Sequence, residues 1–194
     1  MNSFKINVLV IIILLLTAAS CKKEENATSN PYIGKWESAA SENLGNGTYG
    51  VRVFNFTEDS WEIKFTLYLD SLRSMPVFTF RGVGAYTIEG DSENLSNTKN
   101  AIFYFDKKYV TLLTQDEAVI NNFGFNSCNL TFSIEKDIST TGCSFLESKS
   151  ACSQEYDILK LENNFLYLGA RPSTGNMCAP ERRPNEFFYP LQKI

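Results

Sequence analysis

From Tyr32 onward the apolar positions recur with a period of two. Trp61, Ile63, Phe65, Leu67 and Leu69 alternate with Glu62, Lys64, Thr66, Tyr68 and Asp70, the signature of a strand with one buried and one wet face. In the next run Phe78, Phe80, Gly82, Gly84, Tyr86 and Ile88 share a face, with Val77, Thr79, Arg81 and Thr87 opposite. Glycines on the inward face predict a bend in a coiling sheet, where a Cβ would collide with its neighbour. Further strands are predicted from Gly34 onward and at residues 48–56, 101–105, 109–114, 130–134, 157–161, 165–168 and 186–192. Asp106-Lys107-Lys108 and Glu162-Asn163-Asn164 read as the polar turns of two hairpins, and Asp70-Ser71-Leu72 as a plain turn. A single short helix is predicted, with Thr114 and Glu117 in capping-box spacing, Ala118, Val119, Ile120 and Phe123 as its apolar side, and Gly124 as its end. About eight to nine strands in sequence predict an all-β antiparallel meander. Closing into a barrel would remove its exposed edges and enclose room for one small ligand; an open two-sheet sandwich is the other arrangement the pattern permits.

The N-terminus follows other rules. Lys5, an apolar stretch of about thirteen residues and the small residues before position 21 have the order of a secretory signal, too short for a membrane span. Its end, Leu16-Thr17-Ala18-Ala19-Ser20-Cys21, resembles the lipobox of bacterial lipoproteins. The resemblance implies that residues 1–20 are removed and that Cys21 is acylated as the mature N-terminus. Each buried methylene contributes roughly 0.8 kcal/mol, so two or three acyl chains hold a protein on a bilayer almost irreversibly. Lys23-Glu24-Glu25 resembles the signal that sends lipoproteins of Bacteroidetes-type bacteria to the outer face of the outer membrane. The expected location is therefore the outer membrane, lipid-anchored, on its periplasmic or cell-surface side. Residues 21–31, polar and ending in Pro31, read as a flexible tether, and residues 32–194 as one domain.

Charge and composition narrow the chemistry. The chain has 18 basic and 22 acidic side chains, and no concentrated basic surface of the kind that phosphate contacts need, which disfavours nucleic acid. It has no histidine, so Ser-His-Asp and Cys-His constellations and the commonest zinc ligand are excluded. Neither an EF-hand loop nor a phosphate-cradling glycine loop is present. Glu62 and Asp70, the pair a carboxylate mechanism would use, lie on the polar face of a strand and read as solvated. No catalytic residue, cofactor or metal is assigned, and a non-enzymatic protein is expected. Cys128, Cys143, Cys152 and Cys178, an even set in an exported chain, read as two disulfides worth roughly 2 to 4 kcal/mol each, with three pairings open. Their spacings lack the short C-x-x-C knuckles of structural zinc sites. All four lie in the C-terminal third, where they are expected to staple loop-rich excursions to the body.

Gly34-Lys35-Trp36 resembles the G-x-W signature of lipocalin-type barrels. That resemblance implies a Trp36 that plugs the closed end, with an arginine packed over its ring as a cation over a π face. Tyr68-x-Asp70, Pro76, Thr79, Gly84-x-Tyr86 and Arg182-Arg183-Pro184 further resemble the extracellular domain of the adenomatosis-polyposis-coli-down-regulated family, in islands over residues 34–194. That family is lipocalin-like, and its animal members antagonise Wnt signalling by holding the ligand's acyl group. The resemblance implies a barrel with an apolar pocket, and its alignment favours Arg183, ahead of Arg171 and Arg182, as the arginine over Trp36. Ser41 and Arg73 stand where the family has cysteines, as if one disulfide were lost with both its partners, and the animal ligand does not carry over with the fold.

The function expected is a membrane-tethered lipocalin-like lipoprotein that binds an apolar or acylated small molecule or partner. Its cavity would be lined by Ile63, Phe65, Leu67, Phe78, Phe80 and Tyr86, drawn from a chain with 15 Phe and 9 Tyr. The alternative is an accessory subunit of an outer-membrane complex. In that case the barrel is only a rigid platform, and the loops around Cys143 and Cys152 meet a protein partner.

Overall fold

The structure is a computed structural model that describes residues 30–173 and 175–194. The leader 1–20, the acylation site Cys21 and the tether as far as residue 29 lie outside the described residues. Among the described residues the strands are β1 (Gly34–Ser38), β2 (Glu42–Gly45), β3 (Thr48–Phe56), β4 (Ser60–Tyr68), β5 (Pro76–Asp91), β6 (Lys99–Tyr104), β7 (Lys107–Leu112), β8 (Glu135–Asp137), β9 (Gln154–Glu162), β10 (Phe165–Leu168) and β11 (Leu191–Lys193), with one short α-helix, α1 (Glu117–Asn122).

Eight of these strands close on themselves in the order β1-β3-β4-β5-β6-β9-β10-β11 and back to β1, every pair antiparallel. The all-β barrel that the alternation predicts is therefore present, and no edge of the ring is left unpaired. Local turn chemistry fits it. Asn163 and Asn164 take φ of 51° and 64° between β9 and β10, and Asn46 and Gly47 take 50° and 75° between β2 and β3, the left-handed pair that a two-residue hairpin requires.

The expected hairpin at Asp106-Lys107-Lys108 does not exist. β6 and β7 do not pair with each other; both lie on the same edge of β5, β7 along Phe78–Val83 and β6 from Tyr86 onward. They are one run broken by a bulge at Phe105 and Asp106, where Asp106 N–H donates to Val83 O at 2.8 Å and Phe105 N–H to Ser153 O at 2.9 Å. Gly84 makes the bulge possible, because a Cβ there would sit 1.9 Å from Tyr104 O. Below the bulge the run stays in the barrel beside β9; above it the run leaves the ring and pairs with β8.

Three further expectations are corrected. Residues 130–134 form no strand: Asn129 and Ser133 take φ of 50° and 58°, which interrupts an extended run, and only Phe132 makes a bridge, to Leu112. The predicted strand 186–192 shrinks to β11 plus a Gly169–Phe187 bridge. The cap of α1 is Asp116 rather than Thr114: its Oδ1 accepts from Ala118 and Val119 N–H at 2.9 and 3.2 Å, while Thr114 Oγ1 accepts from Asp116 N–H. Gly124, with φ of 69°, follows the helix as expected.

Two apolar clusters make up the core. Trp36, Phe54, Phe56, Trp61, Phe103 and Leu166 belong to one, at the end where β1 meets β11. Leu67, Val77, Phe78, Val110, Phe125 and Ile138 form the other, beneath the excursion 113–153 that the Cys128–Cys143 disulfide staples. Burying each large side chain contributes roughly 1.5–3 kcal/mol. No helix among the described residues is long and apolar enough to cross a membrane.

Candidate functional site

Strand alternation turns Phe54, Trp61, Ile63, Phe65, Phe78 and Phe80 into the barrel, and above the closed end they surround a cavity of about 890 Å³. Of the residues expected to line it, Ile63, Phe65, Phe78 and Phe80 do so; Leu67 and Tyr86 do not. Leu67 is buried in the second cluster. Tyr86 lies below the β6–β7 bulge, edge-on to Phe56 at 5.3 Å, and its hydroxyl donates to Thr57 O at 2.8 Å. At the mouth stands Phe145, 56% exposed although its ring lies 5.8 Å from Phe78 and from Phe125. It is held out by a tight turn in which Cys143 and Leu146 exchange backbone hydrogen bonds of 2.8 and 2.9 Å and Ser144 takes a φ of 53°.

The closed end carries a cation over an indole, but it is not an arginine. Trp36 is 2% exposed, its indole N–H donates to Tyr32 O at 2.7 Å, and Lys193 Nζ lies 5.2 Å from its ring. Lys193 is the direct partner of Trp36 across the β1–β11 seam, and a Cβ at Gly34, whose φ is 125°, would meet Lys193 Cε at 2.7 Å. Glycine two residues before the tryptophan thus makes room for the lysine. Arg183, expected over Trp36, instead donates to Ala101 O, Asp157 O and Glu89 Oε2 and lies 5.4 Å from the ring of Tyr156. Tyr156 alternates with Glu155 and Asp157, which line the cavity, so Arg183 sits on the outer face.

The cavity wall also carries charges. Arg52 pairs with buried Glu42 through Nε, at 2.9 and 3.0 Å to the two carboxylate oxygens, and through Nη2 at 2.8 Å; Ser38 Oγ also donates to Glu42. Arg171 pairs with Glu155 at 2.7 Å, which raises its already high pKa. Asp157, 3% exposed, accepts from Ile158 and Gly169 N–H at 2.7 and 2.9 Å; burial outweighs those bonds and pushes its carboxyl up to about 6. Lys108, 4% exposed, donates to Cys152 O at 2.8 Å and Glu147 O at 3.1 Å, and burial holds its ammonium below the usual lysine range.

None of these groups was expected in the cavity from the sequence, Arg171 having been named only as a candidate to cover Trp36, although a signal existed for some. Lys108 shares its phase with Val110 and Leu112, and Glu155 and Asp157 share theirs with Leu159, so each is a charge on the apolar face of a strand. Glu42 lies on β2, which the Asn46-Gly47 pair announces.

The second disulfide joins Cys152 and Cys178, settling the open pairing. Glu147 lies beside both sulfurs, but atoms bonded to each other offer no thiolate to a metal. Glu62 faces Arg81 at 3.4 Å, and Asp70 accepts from Ser74 and Met75 N–H within its own turn, so the two carboxylates do not share a cleft. Ser41 and Arg73 meet in space, with Arg73 Nε donating to Ser41 Oγ at 3.0 Å. No known protein-family model matches the chain.

Proposed function

We propose that this chain is a lipid-anchored, lipocalin-like binding protein that holds one apolar or acylated molecule inside its barrel. The observation that carries the reading is the cavity of about 890 Å³ with its floor of Phe and Trp rings, a size within the roughly 300–1,000 Å³ of small-molecule sites. A ligand there would cover apolar surface at about 25 cal/mol per Å². Phe145 supports the same reading, as an exposed ring at the mouth that an entering chain would touch first. An acylated Cys21 would hold the protein at the outer membrane, where apolar molecules partition.

The test is a titration of the exported chain carrying Cys21→Ser, which removes the anchor, with the neutral fluorophore N-phenyl-1-naphthylamine. The expected result is saturable binding of one probe per chain, reduced when Ile63→Trp fills the floor. No binding of any apolar probe would refute the proposal. Mass spectrometry of the unmutated protein from native membranes should show acyl chains on Cys21.

A further inference from the structure

We infer that the cavity takes an amphiphile whose head is a carboxylate, and that Lys108 is the cation that receives it. This rests on the ligand-binding reading above and names the class of ligand. The cavity wall has four cations, Arg52, Lys108, Arg171 and Arg182; Arg182 is exposed to water and donates to Asn176 Oδ1 at 2.8 Å. Arg52 and Arg171 each have a carboxylate of their own, Glu42 and Glu155. Lys108 forms no ion pair among the described residues; its protein partners are the carbonyls of Cys152 and Glu147 and the face of Phe105, 4.2 Å from Nζ. An ammonium has three N–H groups, and the two carbonyls occupy two of them.

The carboxylates of Glu155 and Glu147 act on Lys108 through space, but neither touches it. A buried cation with no carboxylate in direct contact is costly, and a protein that keeps one gains when an anion arrives. The other carboxylates of the wall are engaged. Glu155 is held by Arg171, Glu147 accepts from Asn176 Nδ2 at 2.8 Å, and Asp157 is bonded by two backbone N–H groups. Lys108 also stands over the ring of Phe105, which packs on Trp61 at 5.3 Å and through it on Phe103, and it lines the same cavity as Glu155 and Asp157. A chain lying on those rings would bring its end group to Nζ. An ester or alcohol of the same chain would bury its tail equally and leave Lys108 uncompensated.

The test measures displacement of N-phenyl-1-naphthylamine from the Cys21→Ser chain by dodecanoic acid, methyl dodecanoate and dodecanol. The acid should bind about tenfold more tightly than the ester or the alcohol, the worth of one charge-assisted hydrogen bond. Lys108→Met should abolish that preference, and Lys108→Arg should keep it. Equal affinities for acid, ester and alcohol on the unmutated chain would overturn the assignment and leave the binding reading standing. So would an acid preference that survives Lys108→Met. The acid-to-ester ratio of the unmutated chain decides the question even where the methionine variant fails to fold. Failure of the probe and all three ligands to bind would remove both proposals.

Discussion

At the closed end of the barrel Trp61 and Phe56 both reach Phe103, with ring centroids 4.7 and 6.0 Å apart, and Trp36 is sealed beneath them. In the open half Phe65, on the strand of Trp61, and Phe78 and Phe80 of the neighbouring β5 follow the same alternation, yet they line a cavity of about 890 Å³ that Glu155, Asp157 and Lys108 also line. The contrast teaches that period two decides which side chains point inward, whereas the residues they face decide whether the interior fills. Rings close onto rings. They do not close onto ionised groups that would lose water without gaining partners.

The largest test of that contrast is Trp36→Ala. A buried ring in a filled end should cost roughly 3 to 5 kcal/mol in denaturant unfolding. A loss below 1 kcal/mol would mean that the closed end is not packed as described. Next, Cys152→Ala with Cys178→Ala should cost roughly 2 to 4 kcal/mol. It should also weaken probe binding, because Cys152 and residues 175–177 form part of the cavity wall.

Asp157→Asn probes the open half through pH. The folded carboxyl titrates near 6, above its ordinary 3.8, so between these values the native state holds a proton that the unfolded chain has released. Stability from this group is therefore complete below about pH 4 and falls as pH rises through 6. The asparagine variant should gain roughly 2 to 3 kcal/mol on the unmutated protein between pH 4 and pH 7, read as the difference of two urea curves. A pH-independent difference would contradict the burial. Smallest is Phe80→Ala. Its ring already faces open space on one side, so about 1 to 2 kcal/mol is expected, well under the loss at Trp36. Equal losses at both sites would show the open half to be as solid as the closed one.

How much of this was legible in the sequence varies by element. The strand at residues 48–56 and the hairpin at Asn163-Asn164 depend on neighbours in the chain, and both were readable. The Asp106-Lys107-Lys108 turn had the same polar appearance, but its meaning was set by β5: Gly84 admits the Tyr104 carbonyl, so the chain bulges and runs on instead of reversing. In the same way, a cation over Trp36 was expected and one is present, but seam register chose Lys193 and left Arg183 outside.

The sequence by itself determined the alternation, and with it the all-β class and the set of aromatic side chains available to face inward, because these follow from the two-residue repeat of an extended backbone. Tertiary structure alone decided that the ring closes through β1 and β11, that Cys128 pairs with Cys143 and Cys152 with Cys178, and that Lys108 is buried with no direct ion pair among the described residues. Each of these depends on distances between residues far apart in the chain, and no local pattern encodes such distances.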